Sequence, residues 1–326
     1  MRFVILGAGG IGGVIGGRLF QHGHEVVLIA RGEHLSAIRE RGLRLEDPDE
    51  SVVLPVPAVG SPAELTFSDS DVVILATKSQ DAAGALDLLR ASAPPSTAIA
   101  CATNGVEAER LALRRFEPVY GLNVLMPTAY LVPGVVQVIS APIAGSLDVG
   151  CYPAGTDARA ERMAAALSAS SFSSEARADI MRFKYRKLVL NTGNAVEAAC
   201  GRTSEAAREL RHRAAAEAEA VYRAAGIDVA TPEEEAPKRS RMVYRPIGGK
   251  HRGGGSTWQS IAKGGSVETD YLNGEIVLLG RLHGVATPVN ALLQAVMHEL
   301  VRSGQGPGSL DAQALLSRVD RPVSEP

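Results

Sequence analysis

Lys187, Asn191 and Asn194 fall within Phe183–Asn194, a segment whose pattern is helical. With Lys187 at zero, a turn of ~100° per residue puts Asn191 near +40° and Asn194 near −20°. Leu188, Val189, Leu190 and Val196 around them are apolar. Three polar side chains on one face of a largely apolar helix must either line a cavity or find polar partners inside the fold. The choice of lysine favours chemistry. The chain has six lysines (Lys78, Lys184, Lys187, Lys238, Lys250 and Lys263) among 34 basic residues, so it usually supplies plain positive charge as arginine. Arginine stays protonated, whereas a desolvated lysine can give up a proton. Reduction of a ketone by a nicotinamide needs hydride at carbon and a proton at the developing alkoxide, and a positioned ammonium supplies both charge and proton.

A cofactor for such a reaction has a candidate site at the start of the chain. Gly7-Ala8-Gly9-Gly10-Ile11-Gly12 is a G-x-G-x-x-G that follows the apolar run Arg2–Leu6 and opens a helical stretch. Gly7 permits the tight turn, Gly9 the approach of a diphosphate to the backbone, and Gly12 close packing of helix on strand. The helix N-terminus then offers N–H groups and positive dipole to phosphate. The second strand ends Ile29-Ala30-Arg31, where a site for NADH usually has an acid. Arg31 suits a 2′-phosphate and hence NADPH; Glu33, two residues on, is a competing signal for ribose hydroxyls.

These residues need elements to place them. Strands at 2–6, 25–30, 71–77 and 97–102 alternate with helical stretches, which predicts a parallel sheet covered by helices on both faces. Lys78 and Asn104 each follow a strand, at the carboxyl edge where such sheets bind ligands. Taken alone they read equally well as an edge charge and a turn asparagine. Further strands are expected between 119 and 149. Helical periodicity then takes over, at 178–200, 204–225, 267–282 and 288–301, with a Pro-, Gly- and charge-rich loop at 231–256. The expected fold class is therefore α/β, an N-terminal Rossmann-like dinucleotide-binding domain (1–175) followed by an all-helical domain for substrate and dimerisation (176–302). The polar tail, 303–326, is expected to fray.

Composition narrows the partners. Of 326 residues, 45% are hydrophobic and 21% charged, with 34 basic against 36 acidic residues for a net charge of −2. That balance offers no electrostatic footprint for nucleic acid, and no apolar stretch reaches the ~20 residues of a membrane span. The apolar start Met1–Leu6 is cut short by glycines, so a secretory leader is not expected. Cys101, Cys151 and Cys200 make neither a disulfide framework nor a metal-site spacing, and suit a reducing cytoplasm. The seven scattered histidines give no metal spacing, and none is expected to be catalytic.

Several of these residues together resemble the ketopantoate reductase family of NADPH-dependent 2-dehydropantoate 2-reductases. The resemblance rests on the N-terminal glycine motif, Thr77-Lys78-Ser79-Gln80 and Thr103-Asn104-Gly105 after two strands, and Lys187-Leu188-Val189-Leu190-Asn191. It rests also on Ser256-Thr257-Trp258-Gln259, then Glu268-Thr269-Asp270-Tyr271-Leu272-Asn273-Gly274, and Gly284-Val285-Ala286-Thr287-Pro288-Val289-Asn290. It spans residues 1–302. In the last motif, Thr287 and Pro288 suit an N-cap and a first helical residue.

The resemblance implies Lys187 as general acid, Asn191 and Ser256 at the substrate, and Lys78, Asn104 and Glu268 at the cofactor and reacting centre. Read by itself, Glu268 is only an acid in a first helical turn. The family's second substrate asparagine, eight positions after the lysine, is Ala195 here, and Asn194 is one residue early. The loop His251–Gly255 is unusually glycine-rich and basic, and Ser260 replaces an acid. These departures fall on the substrate side. They keep open a reductase of another 2-oxo acid or imine, and more remotely a non-catalytic NADPH-binding regulator. The expected partners are a small 2-oxo acid and a second copy of the chain through the helical domain, with no nucleic acid, membrane or metal.

Overall fold

The computed structural model describes residues 1–249 and 253–320. The chain divides into two compact units, the first formed by 1–184 and 230–252, the second by 185–229 and 253–326. In chain order the elements are β1 (Arg2–Leu6), α1 (Gly10–Gln21), β2 (Glu25–Ile29), α2 (Gly32–Arg41), β3 (Leu43–Glu46), β4 (Ser51–Leu54), β5 (Ala58–Val59), β6 (Asp71–Leu75), α3 (Ala82–Arg90), β7 (Ala98–Cys101), α4 (Glu107–Leu113), β8 (Val119–Leu125), β9 (Thr128–Val132), β10 (Val135–Val138), β11 (Gly145–Cys151), α5 (Ala158–Ser168) and β12 (Phe172–Ser173). Helices follow: α6 (Ile180–Asn191), α7 (Asn194–Cys200), α8 (Glu205–Ala225), α9 (Pro232–Arg239), α10 (Ser256–Ala262), α11 (Asn273–His283), α12 (Pro288–Ser303) and α13 (Ala312–Val319).

The first unit has the expected α/β, Rossmann-like architecture. Its large sheet runs β12-β11-β8-β7-β6-β1-β2-β5. β1 pairs in parallel with β2 on one side and β6 on the other, with Leu6 level with Ile29 and Leu75. The chain order reverses around β1, so its carboxyl end is the switch point where such sheets bind ligands. Valine, isoleucine and leucine fill these strands because both faces are buried. Separate apolar clusters lie on the two faces.

A second sheet, β4-β3-β10-β9, was not foreseen from the sequence. Helix α1 is packed between the two sheets, and its glycines permit it. A Cβ on Gly16 would press on Leu28 and Ile5 of the large sheet, and one on Gly17 on Leu45 and Leu43 of the small one.

Among the described residues the second unit is all helical, with its own core of alanine, leucine and valine from α7, α8, α12 and α13. Three boundaries differ from expectation. The helix read as 178–200 breaks at Thr192-Gly193 into α6 and α7. The loop expected at 231–256 contains α9, which joins the first unit rather than the second. Its start carries a capping box, Thr231 with Glu234, and Pro232 in the first turn. The tail expected to fray contains α13, because Asp311 caps it and Ala312 and Leu315 are buried in the core. Residues 321–326 of that tail, and His251 and Arg252 of the glycine-rich loop, lie outside the described residues. Among the described residues no helix is long and apolar enough to cross a membrane, and no group of His, Cys, Asp or Glu is placed to hold a metal ion.

Candidate active site

The glycine loop, Lys78 and Asn104 follow β1, β6 and β7 at the carboxyl edge of the first unit's sheet. Gly7 leaves β1 with φ +103°, a left-handed conformation that favours glycine, and its N–H donates to the Ile29 carbonyl at 3.1 Å. A Cβ there would sit 3.0 Å from the Ala76 carbonyl, and one on Gly12 would overlap the Gly7 carbonyl oxygen. Gly9 is different: its Cβ direction meets nothing within 4 Å. It is the N-cap of α1, no side chain caps the helix, and its first turn has no acid. An uncapped helix start of this kind, with open space beside its glycine, fits the diphosphate of a dinucleotide.

Ala8, Gly10 and Ile11 complete this loop and first turn. Arg31 is exposed at the N-cap of α2, without a side-chain cap bond. Glu33 follows in the first turn of α2, where the helix dipole accounts for an acid without a ligand. Lys78 and Asn104, both half-buried, follow β6 and β7. Ser79 ties their loops together by donating its hydroxyl to the Asn104 carbonyl at 3.0 Å.

Lys184 was missed in the sequence reading. It is buried at the start of α6 and ion-paired with the fully buried Glu109. Its Nζ also donates to the carbonyls of Cys101, Leu122 and Thr103 at 3.2, 3.3 and 3.4 Å. The end of β7, the middle of β8 and the residue before Asn104 are thus held by one ammonium. Burial pushes the Glu109 carboxyl and the Cys101 thiol up from their ordinary values. A second lysine, Lys238 of α9, is buried in an ion pair with Asp148.

In the second unit, Lys187 and Asn191 are half-buried one turn apart on α6. Despite the helix break, Asn194 stays beside Asn191: its Nδ2 donates to Asn191 Oδ1 at 3.4 Å. That bond leaves Asn191 Nδ2 buried and without a protein partner among the described residues. Ala195 packs into the apolar core, which removes that position from any polar contact.

The break itself is held from outside. Asn273 Nδ2 donates to the Thr192 carbonyl at 3.0 Å and to Asn290 Oδ1 at 2.9 Å, and Asn290 Nδ2 donates to the Ala214 carbonyl at 3.0 Å. Thr287 and Pro288 do take the N-cap and first helical positions of α12, but Thr287 makes no side-chain cap. Glu217 of α8 caps the helix instead, accepting the Val289 and Asn290 N–H groups at 2.8 and 2.9 Å.

Ser256, half-buried, opens α10, and a Cβ on the preceding Gly255 would lie 3.8 Å from Asn194 Oδ1. The N–H of Gly255 donates to Glu197 Oε1 at 3.2 Å, and a Cβ on Gly255 would lie 2.8 Å from the other oxygen of Glu197. Cβ atoms on Gly253 or Gly254 would run into the Trp258 ring system. The described part of the glycine-rich loop is therefore glycine because it lies flat against Trp258 and Glu197. Glu268, half-buried, is not in the first turn of a long helix as expected. It is the N-cap of a short 3₁₀ turn, Thr269–Tyr271, and α11 begins only at Asn273.

The chain is similar to several known proteins. Residues 3–153 match the family description "Ketopantoate reductase PanE/ApbA", and residues 179–301 match its C-terminal counterpart. The 2-dehydropantoate 2-reductase of Halobacterium salinarum is 30% identical over 94% of this chain and 100% of its own length. That of Pyrococcus horikoshii is 25% identical over 94% and 99%. The crystal structure of a PanE/ApbA family ketopantoate reductase from Ralstonia eutropha superposes with a TM-score of 0.79, at 28% identity over 94% of this chain and 100% of that one. A D-mandelate dehydrogenase in complex with NADH and anilino(oxo)acetate superposes with a TM-score of 0.78, at 26% identity over 93% and 99%.

Proposed function

This chain belongs to the ketopantoate reductase family, and from that premise we propose that it reduces the ketone of 2-dehydropantoate to pantoate with NADPH. The observation that carries the reading is the buried Nδ2 of Asn191, which has no hydrogen-bond partner among the described residues and lies one turn from Lys187. A buried donor left unmade costs about 1–3 kcal/mol, so a polar ligand is the natural partner. When bound, NADPH supplies the hydride. Lys187 Nζ stabilises negative charge as it develops on the carbonyl oxygen and gives that oxygen its proton. Asn191 Nδ2 donates to a substrate oxygen and so orients it. Asn194 and the Ser256 hydroxyl bind the rest of the substrate.

The backbone of Gly7–Gly12 holds the diphosphate and Arg31 the 2′-phosphate, which supports NADPH over NADH. Lys78, Asn104 and Glu268 complete the cofactor side. The proposal extends to a cytoplasmic setting, which suits three free cysteines. It extends also to a homodimer through the helical unit, which Leu278 and Leu282, exposed one turn apart on α11, support.

A second reading is reduction of a different 2-oxo acid. It is favoured by the loss of an asparagine at position 195 and by the likeness to a D-mandelate dehydrogenase. Comparison of kcat/KM for 2-dehydropantoate with smaller and bulkier 2-oxo acids, followed by NADPH oxidation, separates the two. The first reading requires 2-dehydropantoate to be best by at least about tenfold, or about 1.4 kcal/mol of transition-state binding. A bulkier acid turned over faster supports the second, and tight NADPH binding without turnover of any acid would indicate a regulator.

A further inference from the structure

We propose that His34 is a positioning residue for the dinucleotide loop, holding the Ala8–Gly9 peptide so that its N–H, not its carbonyl, is left for the cofactor. The proposal rests on the reading that Gly7–Gly12 binds the diphosphate of NADPH. His34 is buried in the first turn of α2. Its Nε2 lies 2.7 Å from the Ala8 carbonyl oxygen, and the Gly134 N–H reaches its Nδ1 at 2.8 Å. An amide N–H can only donate, so Nδ1 accepts and carries no proton. The proton of the neutral ring is therefore on Nε2, where it is donated to Ala8. Two bonds at opposite ends of the ring fix its tautomer and its plane.

The far support is firm. Gly134 joins β9 to β10 with φ +80°, and a Cβ on it would lie 2.9 Å from the Ala37 side chain, so the turn sits directly on α2. Tyr130 of β9 tilts against the imidazole with ring centroids 4.5 Å apart. The second sheet thus buttresses the loop through one side chain.

The consequence follows from peptide geometry. In a trans peptide the carbonyl and the N–H point in opposite directions and move as one plane. Holding the Ala8 oxygen toward His34 directs the Gly9 N–H the other way. Gly9, lacking a Cβ, resists a flip of that plane less than any other residue would. A flipped peptide would present a carbonyl oxygen to an anionic diphosphate, and repulsion would replace a hydrogen bond. Ala8 is buried, so water is a poor substitute for the imidazole.

The test compares His34→Gln with His34→Asn. The glutamine amide nitrogen can take the place of Nε2 and donate to Ala8. The asparagine oxygen can take the place of Nδ1 and accept from Gly134, but the Ala8 bond is lost. Each variant gives up one of the two bonds, so a role in stability alone would weaken NADPH binding in both alike. Fluorescence titration with NADPH is expected to show His34→Asn about tenfold weaker and His34→Gln within about threefold of wild type, as loss of a bond to a buried acceptor dictates. Turnover at saturating NADPH should stay within about twofold of wild type in both, since no reacting group is removed. Equal affinities in the two variants, or an unweakened His34→Asn, would overturn the proposal. An imidazole ¹⁵N spectrum of the wild-type protein supplies a test that needs no variant: Nε2 must carry the proton at neutral pH, and the opposite tautomer refutes the clamp. Wild-type protein that does not bind NADPH would refute the cofactor reading itself, and the proposal with it.

Discussion

The glycine corner of the first unit and helices α6 and α7 place their polar groups by different means. At Gly7–Gly12 the backbone does the work. Left-handed φ at Gly7 and the lack of space for a Cβ at Gly12 dictate the residue type. On α6 and α7 side chains do the work, and one residue type serves opposite ends. Lys184 and Lys187 are three positions apart on one helix. The first is buried in an ion pair with Glu109 and holds three carbonyls; the second is half-buried beside an asparagine with an unmade donor. Two of the six lysines, Lys184 and Lys238, are buried in ion pairs with carboxylates, so the rarity of lysine does not by itself single out a chemical role.

That contrast is sharpest under substitution. Lys184→Met should cost about 3–5 kcal/mol of stability in urea unfolding, because it strands a buried carboxylate. Lys187→Met should stay within about 1 kcal/mol of wild type, as for a half-buried side chain outside the core. Acid should narrow the Lys184→Met deficit. Burial holds the Glu109 carboxyl above its ordinary value. A carboxyl raised in the folded state contributes its stability below the unfolded value, about 4.3, and loses it as pH rises through the folded one. A deficit that widens in acid, or equal costs for the two lysines, would erase the distinction between them.

On the cofactor side, Arg31→Ala should weaken NADPH by about 1.5–3 kcal/mol, the worth of a charge-assisted pair, and leave NADH nearly unchanged. Parallel titration of the two cofactors checks this. Equal weakening would show that Arg31 does not read the 2′-phosphate.

The smallest effect belongs to Asn194. If it binds a substrate hydroxyl, Asn194→Ala should lower kcat/KM by about 0.5–1.5 kcal/mol for a hydroxylated 2-oxo acid. The acid lacking that hydroxyl should be unaffected. Equal losses on both would make Asn194 a support for Asn191, with which it is already hydrogen-bonded.

Legibility in the sequence followed the same line. The glycine motif, the strands around it and the helical second unit could be read because backbone sterics and burial leave few residue choices. Lys78 and Asn104 could be placed at the sheet edge for the same reason, from the ends of their strands. What escaped depends on contacts between distant segments. Lys184 gives no sign of Glu109, nor His34 of Gly134, until the chain is folded. The cap of α12 is another case: Thr287 stands at the N-cap, yet the bonds come from Glu217. Helix α9 was overlooked for a different reason. Its Pro and charge content read as loop, although Thr231-Pro232-Glu233-Glu234 carries the capping signal. Asn194 was placed near Lys187 on the premise of an unbroken helix. The helix breaks at Thr192-Gly193, and the asparagine is kept beside Asn191 nonetheless.

The central claim is that Lys187 gives up a proton rather than merely carrying a charge. Single-turnover hydride transfer in Lys187→Arg, with NADPH titration on the same protein, tests it most directly. A guanidinium keeps the charge and does not surrender its proton. The account predicts NADPH affinity close to wild type and a chemical step slowed by about 10²–10⁴-fold, the usual worth of general acid catalysis. A Lys187→Arg protein that transfers hydride at a near-normal rate would contradict it, and would mean that the proton comes from elsewhere.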